Sequence, residues 1–548
     1  MSSSGDRVAV PRRSAFLYGL LAGAVGLAIL LVGRLLTGRP GFLDAIADGV
    51  LRYVPLALFD AALSSLGALA KGTLYAAIAL AVPVAGGLLA IKLIRSPPRG
   101  DRLRDIVAAG VLVALVAFFL AAVLVLPLAG AGILGSDLRA DAWALQAPLA
   151  VAAVAYGMVL MGFRYAAAGQ ADPGGMRTDQ TEMQAPDMDA APAAVDVPRR
   201  TFLARALGLV GLAALAVSGF AVFQGLARAS RPLTGGGPAP ADGQPMDPFG
   251  PTMALTPVDD FYQISKNLLP VSIDGQTWRL RVDGLLDRPA DISLEALRAM
   301  PSQVAHRTIE CISNDVPAGD DLIGNQRWRG VPIRDLLAPA GVQPAATHVL
   351  WEAADGYTES LPLEVALRED SWIVYEMGDQ PLTAEHGFPA RVFIAGRFGM
   401  KQPKWVTRLQ LTDHDEPGYW QVRGWDREAF VVTMSRIDQP RPGETVRTDE
   451  PFMAYGIANS GDRGISRVEL SPDDGATWLE AELQDATEEP LGPLTWVRWR
   501  VPVTVSGSGA RRLVVRATDG SGAVQDPAFR APLPSGSTGW HAVRIAVA

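Results

Sequence analysis

The sequence predicts a multi-domain chain: an N-terminal α-helical transmembrane region, then an α+β domain, then a C-terminal β-sandwich. Three observations predict it. Long apolar runs of Ala, Leu, Val and Gly are confined to roughly the first 230 of the 548 residues. Strands and short helices then follow without a regular βαβ alternation, the mark of an α+β domain. From Val432 onward, β-type segments such as P-F-M-A-Y-G-I-A, T-W-V-R-W-R-V-P-V and R-L-V-V-R-A-T-D recur between turn signals. Their spacing and alternation indicate a sandwich of about seven strands. The length alone is too great for one hydrophobic core.

The membrane region is read from five runs, Ser14 to Leu36, Gly72 to Ile94, Asp105 to Gly130, Asp141 to Phe163 and Phe202 to Leu226. Each is long enough for a hydrocarbon core of ~30 Å. The first run exceeds the apolar stretch of a signal peptide, and more spans follow it. The segment Asp48 to Ala70 carries Arg52, Pro55 and Asp60 with amphipathic spacing, which reads as an interfacial helix. Arg12 and Arg13 precede the first span, and Lys92, Arg95, Arg99, Arg102 and Arg104 crowd the connection between the second and third. Arg164, Arg199 and Arg200 lie between the fourth and fifth. Placing all three clusters in the cytoplasm puts the N-terminus inside and everything after the fifth span outside.

Composition excludes some functions. A net charge of −8 gives no basic face for a phosphate backbone, so no nucleic-acid partner is expected. No histidine precedes His306, so the spans lack the paired imidazoles of a membrane b-type haem. Few ionisable groups lie within the spans, which argues for anchoring in lipid, or docking of a partner, over an ion path. Residues 166–200, rich in Ala, Asp, Pro, Gly and Met, have no apolar periodicity and read as a disordered cytoplasmic linker. The linker ends in V-P-R-R-T-F-L-A-R. There Arg199, Arg200, Phe202 and Leu203 resemble a twin-arginine export signal, although an ordinary positive flank of a membrane helix has the same composition. Gly and Pro between Ser230 and Pro251 mark a tether.

Within the α+β domain, W-R-L-R-V-D-G (Trp278 to Gly284) alternates like a strand, and I-S-L-E-A-L-R-A-M-P (Ile292 to Pro301) reads as a short helix capped by Ser293. Further strands are expected at His348 to Glu352, Trp372 to Glu376 and Arg391 to Ala395. The chemically distinctive stretch runs from Arg307 to Leu337 and holds the single cysteine of the chain, Cys311. One cysteine rules out an internal disulfide. An isolated thiol is commonly a small buried hydrophobe. Here a short β-type run delivers it to a polar loop among Glu310, Ser313, Asn314 and Asp315, which suits a thiolate that ligates or reacts.

T-I-E-C-I-S-N followed by W-R-G-V-P-I-R-D-L-L resembles the cofactor loop of the sulfite oxidase family of molybdopterin-dependent oxidoreductases. Glu385 to Leu411 (E-H-G-F-P-A-R-V-F-I-A-G-R-F-G-M-K-Q-P-K-W-V-T-R-L-Q-L) resembles the family's pterin-holding segment. D-D-G-A-T-W, Asp473 to Trp478, resembles part of its C-terminal immunoglobulin-like domain. The resemblance covers residues 254–548, with its blocks in the family's order. The expected division is a four-span transmembrane region at 1–165, the linker at 166–200, a fifth transmembrane helix at 201–228 and the tether at 229–252. The molybdopterin-binding catalytic domain is expected at 253–428 and the dimerisation-like sandwich at 429–548.

The resemblance implies a molybdenum-molybdopterin cofactor with Cys311 as the single protein ligand to the metal. A soft thiolate suits a high-valent molybdenum held otherwise by pterin sulfurs and oxo groups. It also implies cofactor contacts from Tyr262, Gln263, Asp355, His386, Arg391, Gln402, Pro403 and Lys404. A pterin phosphate needs fixed cations and N–H donors, and Arg391 and Lys404 supply the former. Taken singly, Arg391 also fits a structural ion pair and Lys404 a surface residue. Around the substrate the sequence departs from sulfite oxidases. The two arginines expected after F-Y and after the cysteine align with Ile264 and Val316, and the expected tyrosine aligns with Trp425. Each lost charge-assisted contact is worth roughly 1.5–3 kcal/mol. Lys266, Arg307 and Arg423 still supply positive potential, so an anion remains open as substrate. Trp425 points to a larger or less charged one.

The expected function is a membrane-anchored, extracytoplasmic oxidoreductase that transfers an oxygen atom to or from a small molecule. Cys311, Trp425, Arg307 and Lys266 form its expected catalytic set. The alternatives are an S- or N-oxide reductase, such as a methionine sulfoxide reductase, and a non-catalytic anchored scaffold for binding or sensing. A separate electron-transfer partner is implied, a cytochrome or a quinone-linked membrane protein, and the family's C-terminal domain implies a homodimer. The turn Ser471 to Trp478 reads as a hairpin turn in preference to a calcium loop.

Overall fold

The computed structural model describes residues 10–54, 58, 69–94, 103–136, 142–168, 208, 247–267, 271–487 and 489–548. It falls into two compact units, Met1–Arg231 with Asn267–Leu269, and Pro232–Lys266 with Pro270–Ala548.

In the first unit four helices among the described residues are long and apolar enough to cross a membrane: Arg12–Thr37, Gly72–Leu93, Arg104–Leu128 and Ala142–Ala166. These correspond to the first four expected spans. The fifth span apart from residue 208, the twin-arginine-like stretch and most of the linker and tether lie outside the described residues. So does most of the segment 48–70, whose start continues the helix Phe42–Tyr53. At 12 residues that helix is about 18 Å long, too short to cross. Its Asp44 is buried and accepts from Arg34 Nε (3.1 Å) at the end of the first helix, from Tyr75 Oη, and from the Gly41 amide (2.7 Å). These three bonds satisfy the carboxylate and close the turn between two helices. The helices approach closely through small residues. A Cβ added at Gly19 would lie 2.4 Å from the Gly86 carbonyl, and one at Gly157 2.2 Å from the Gly110 carbonyl. The third helix carries a π-turn at Leu120–Val125 just ahead of Pro127, whose ring and missing N–H disrupt the regular ladder.

The second unit begins its regular structure with ten strands. They are β1 (Arg279–Gly284), β2 (Ala290–Ser293), β3 (Gln303–Glu310), β4 (Ile323–Pro332), β5 (His348–Ala353), β6 (Thr358–Pro362), β7 (Trp372–Met377), β8 (Gln380–Pro381), β9 (Arg391–Phe393) and β10 (Val406–Thr412). One sheet has the order β2-β1-β10-β5-β6, in which β1 and β10 are parallel. The other has the order β3-β4-β7-β8, with β9 beside β7. Short helices at Leu294–Ala299 and Ile333–Leu337 complete the α+β domain. The first of these is capped as the sequence predicts, Ser293 Oγ accepting from the Ala296 amide at 3.1 Å. The stretch W-R-G-V-P-I-R-D-L-L divides into the end of β4 and the helix Ile333–Leu337.

Period-two alternation puts Ile373 and Tyr375 of β7 into one apolar cluster, with Leu280, Val282, Trp351 and Leu409. Trp372 and Val374 enter a second cluster on the opposite face, with Phe261, Ile309, Trp328 and Phe393. The second cluster underlies the site described below.

Nine more strands form the C-terminal domain, two more than the sequence suggests. They are β11 (Met434–Gln439), β12 (Thr445–Val446), β13 (Phe452–Asn459), β14 (Ile465–Ser471), β15 (Leu479–Glu480), β16 (Glu482–Leu483), β17 (Val497–Val503), β18 (Gly509–Asp519) and β19 (Ala542–Val547). Two-residue strands carry too little pattern to be seen in sequence. Sheets of order β11-β13-β17-β16 and β12-β19-β18-β14-β15 enclose a core built on Val468, Leu470, Trp499, Val501, Leu513, Val515 and Ile545. The stretch Ser471 to Trp478 is a turn in which the Asp473 carboxylate accepts from the Thr477 amide (2.7 Å) and Ser471 Oγ (2.8 Å).

This domain packs directly on the α+β domain. Val316 and Ile323 share an apolar cluster with Met434, Ile457, Leu491 and Trp496. The buried Arg436 guanidinium pairs with Asp321 and, at 2.6 Å, with Asp438. Beside it, His541 Nδ1 accepts from the Ile437 amide at 3.1 Å, which requires a neutral ring.

Burial, with the Arg436 charge, brings the His541 pKa down from 6.5 to about 4, the Asp438 carboxylate opposing. An unfolded histidine takes up its proton at the higher pH. The stability conferred by the neutral ring is therefore complete above pH 6.5 and lost as pH falls through about 4. His541→Gln should flatten the wild-type decline in denaturation midpoint across that window, a decline worth on the order of 2–3 kcal/mol. An identical slope in the variant would remove His541 as its source.

Candidate active site

Strand β3 pairs along its whole length with β4, from Gln303 opposite Gly330 to Glu310 opposite Ile323. The strand ends at Glu310, so Cys311 is the first residue of the loop. Backbone bonds fix its position: the Cys311 amide donates to the Leu322 carbonyl (2.9 Å), and the Asn314 amide to the Cys311 carbonyl (3.0 Å). Its thiol is buried, with Ser313 Oγ 3.1 Å away. Burial pushes the thiol pKa up, the Ser313 contacts opposing, so without a metal the sulfur holds its proton. A coordinated metal reverses that preference.

The segment leading into the domain passes beside this sulfur. The Tyr262 phenol is pushed up in pKa by burial and then by Cys311, with Arg391 acting in the opposite sense. One ring thus senses both the thiol and the pterin-block arginine. Phe261 stacks on Tyr262 (5.4 Å between centroids) and meets the His386 ring edge-on (5.5 Å). His386 Nε2 lies 3.2 Å from the Val258 carbonyl, an acceptor that assigns the proton to Nε2. Burial, then Lys404 and Arg391, lower the His386 pKa to about 3, so the imidazole is neutral.

The turn H-G-F-P folds back because Gly387 adopts φ +109°, and a Cβ there would sit 3.0 Å from that of Lys404 and 3.2 Å from that of Arg391. Lys404 Nζ donates to the carbonyls of Ile264 and Glu385, both at 2.9 Å. The next residue, Trp405, is held in the left-handed region at φ +55°, with Nε1 donating to the Ala384 carbonyl (2.8 Å). Such a conformation costs on the order of 1–3 kcal/mol and marks a backbone constrained by its surroundings. Arg391 is buried. Its guanidinium donates to the carbonyls of His386 (3.3 Å) and Gln402 (3.4 Å), and burial lowers its pKa to about 10, with the Tyr262 phenol opposing.

Arg391 Nε, Gln402 Oε1 and Thr383 Oγ1 are buried without a hydrogen-bond partner. Buried polar atoms are ordinarily satisfied, so three orphans from this one block fit a cradle for a polar group supplied from outside the chain. A pterin with its phosphate fits that donor set. Arg391, Lys404, His386, Gln402 and Tyr262 would hold it, with Cys311 on the metal. Pro403 contributes backbone, its carbonyl accepting from the Val392 amide (2.9 Å), and Asp355 Oδ1 caps the D-G-Y turn by accepting from the Tyr357 amide (3.0 Å). Gln263 is exposed.

A group of aromatic rings also lies within the electrostatic reach of Cys311. Tyr357, anchored by a 2.6 Å bond from Oη to the Met400 carbonyl, has its pKa raised by burial and by Glu359, Asp355, Tyr419 and Cys311. The rings continue through Tyr419 (5.6 Å), Trp420 (5.0 Å) and Trp425 (6.4 Å). Lys266 Nζ lies 5.1 Å and Arg423 Cζ 3.6 Å from the Tyr419 ring centroid. Lys266 and Trp425 are therefore brought to one cluster, with Arg423. Arg307 is not. Its side chain is buried on the core side of β3, with Cζ 3.3 Å from the Trp372 ring centroid and 4.6 Å from that of Phe393, and Nη1 donates to the Asp370 carbonyl at 2.6 Å. Strand alternation decides this, because Arg307 and Ile309 share the face that enters the second apolar cluster.

Several residues escaped the sequence reading. Tyr357 sits in the D-G-Y turn already noted for Asp355, so its position was legible although its role was not. Lys401 and Glu359 form a fully buried pair at 2.8 Å, for which residue type gives no signal, since a lysine is ordinarily exposed. Glu310 is buried beside the thiol, its pKa raised by burial to about 7 despite bonds from Asn314 and Asn459.

Residues 267–420 match the oxidoreductase molybdopterin binding domain, and residues 428–548 the Mo-co oxidoreductase dimerisation domain. The chain is 30% identical over 333 residues to the sulfite oxidase of Gallus gallus, covering 52% of this chain and 72% of that protein. It is 31% identical over 322 residues to the mitochondrial sulfite oxidase of Drosophila melanogaster, covering 50% and 56%. An uncharacterized oxidoreductase of Bacillus subtilis, YuiH, is 34% identical over 157 residues, covering 29% and 76%. The chain spans 56–62% of the length of the fly, rat and macaque mitochondrial sulfite oxidases. Among solved structures, the sulfane dehydrogenase SoxCD of Paracoccus pantotrophus matches with a TM-score of 0.46 and 25% identity, over 52% of this chain and 80% of that one. The chain belongs to the sulfite oxidase family of molybdopterin-dependent oxidoreductases, and its cofactor is molybdenum-molybdopterin.

Proposed function

We propose that the protein is a membrane-anchored, extracytoplasmic oxidoreductase that moves an oxygen atom to or from a small substrate other than sulfite. The net reaction is X + H2O ⇌ XO + 2H⁺ + 2e⁻. When bound, the cofactor supplies the two-electron couple and the oxygen-transfer centre. The chain supplies the rest. Cys311 fixes the metal, and the Arg391, Lys404 and His386 cradle binds and orients the pterin. Tyr357, Tyr419, Trp420 and Trp425 wall the approach and exclude water, while Lys266 and Arg423 lend positive potential.

One observation carries the substrate reading. The positions at which the family resemblance implies arginines carry Ile264, which is exposed, and Val316, which is buried in the interdomain apolar cluster. Neither can bind an oxyanion. Loss of two charge-assisted contacts should weaken sulfite capture by about 10²-fold or more. Trp425 favours an S- or N-oxide, or the corresponding reduced compound, whose organic groups pack on rings. Electrons then pass to or from a separate partner, a cytochrome or a quinone-linked membrane protein, and the C-terminal domain, read as immunoglobulin-like, pairs two copies. The positive clusters flanking the apolar helices support an external catalytic domain.

Metal analysis should give about one molybdenum per chain, as a single thiolate ligand requires. The loaded protein is then assayed with sulfite and an artificial acceptor, and with sulfoxides or N-oxides and a reduced dye. Turnover of the oxides, with sulfite poor, is the expected result. Saturation by sulfite at micromolar concentration would overturn the substrate reading, and protein free of molybdenum from a host that makes the pterin would overturn the whole.

A further inference from the structure

We propose that Asn459, from the C-terminal domain, is a positioning residue for the Cys311 thiolate, so that the two-sheet domain forms part of the metal site itself. The inference rests on Cys311 as the metal ligand and assigns what holds it. Glu310, the residue before the cysteine, is 3% exposed. Its Oε1 accepts from Asn314 Nδ2 (3.1 Å), and its Oε2 accepts from Asn459 Nδ2 (2.8 Å). Asn314 Oδ1 in turn accepts from the Leu322 amide (2.8 Å), and the Leu322 carbonyl accepts from the Cys311 amide (2.9 Å). The bonds from Glu310 through Asn314 and Leu322 therefore close a ring on the cysteine, and Asn459 ties that ring to the other domain.

Asn459 is itself fixed. It ends β13, is 2% exposed, and accepts from the Gly461 amide through Oδ1. Two further bonds tie the same stretch of chain to the same domain: Trp496 N to Thr308 Oγ1 (2.8 Å) and Ser537 Oγ to Asp315 Oδ1 (2.9 Å). Among the described residues the sulfur has only the weak Ser313 contact of its own. Its aim is consequently set by the backbone on either side, and that backbone is set by Glu310 and Asn314. A displacement of about 1 Å in a positioned reacting group can cost 10²-fold in rate. A single-thiolate metal site is exposed to such a displacement because no second protein ligand corrects it.

The test compares Asn459→Ala with Arg368→Ala, which removes another interdomain bond, Arg368 Nη2 to Asp462 (2.9 Å), away from the cysteine loop. In cofactor-free protein, Cys311 should react with a small thiol reagent about tenfold faster in Asn459→Ala, as loss of one buried hydrogen bond allows, and at the wild-type rate in Arg368→Ala. In loaded protein, the Mo(V) paramagnetic resonance spectrum should shift or broaden in Asn459→Ala alone, with kcat reduced and KM within about twofold. Wild-type reactivity together with a wild-type spectrum in folded Asn459→Ala would overturn the proposal. Wild-type hydrogen exchange tests it without any variant. The Cys311 and Leu322 amides should be as protected as those of β13, and exchange about 10²-fold faster would refute the clamp. Thiol reactivity and exchange need no metal, so their failure is distinct from failure of Cys311 as a ligand.

Discussion

Cys311→Ser should lose turnover by at least about 10³-fold, some 4 kcal/mol of transition-state stabilisation, while folding as the wild type does. The fold is spared because the bonds that shape the loop, from the Cys311 amide to Leu322 and from the Asn314 amide to Cys311, belong to the backbone. Exchange of a buried sulfur for oxygen at this site should shift stability by no more than about 1 kcal/mol. Activity is lost because a serine hydroxyl is a hard, weakly acidic ligand where the metal takes a soft thiolate. The measurements are turnover, molybdenum content, circular dichroism and melting temperature on the same preparation. Sustained turnover by a molybdenum-loaded serine variant would end the assignment of Cys311 as ligand.

Arg391→Met should give the opposite pairing of effects, a cofactor-free protein at least as stable as wild type and a holoprotein that does not keep its pterin. In the chain alone the guanidinium is buried, donates only to carbonyls and has an orphaned Nε. Burial already lowers its pKa to about 10, a direct sign that its charge is poorly compensated. Replacing such a cation with an apolar side chain of similar length is neutral or stabilising by about 1–3 kcal/mol. A phosphate would supply the missing anion, and losing a bidentate contact to it should weaken retention by about 10²-fold. The checks are the melting temperature of cofactor-free protein and molybdenum per chain after gel filtration. A destabilised apoprotein that still retains full molybdenum would show that Arg391 serves the fold and not the cofactor.

The contrast between Arg391 and Arg307 shows how far sequence could reach. Both are arginines in strands close to recognisable blocks, and residue type gives both the same capacity to meet an anion. His386, Arg391 and Lys404 lie in one continuous segment, and the turn through Gly387 brings them together. Arg307 precedes Cys311 by four residues, and proximity in sequence suggested proximity in function. In β3 the alternation of faces sends Arg307 into the rings of Trp372 and Phe393, whereas Glu310 faces Asn459 across the domain boundary. Lys266, Trp425 and Arg423 were legible as cations and a ring near a family position, and their convergence on Tyr419 and Trp420 was not.

Residue order was enough to read the apolar helices of the first unit, the α+β character of the molybdopterin domain, the β-rich C-terminal domain and the place of Cys311 at the end of a strand. Each is a local property, written in hydrophobic period, turn residues and motif order. Tertiary structure alone decided that the C-terminal domain reaches the cysteine loop through Asn459, 149 residues from Glu310 in the chain. It alone buried Val316 in the interdomain cluster and, among the described residues, left Arg391 bonded only to carbonyls. These are facts of packing between distant segments, which burial and hydrogen-bond satisfaction settle only when both partners are present.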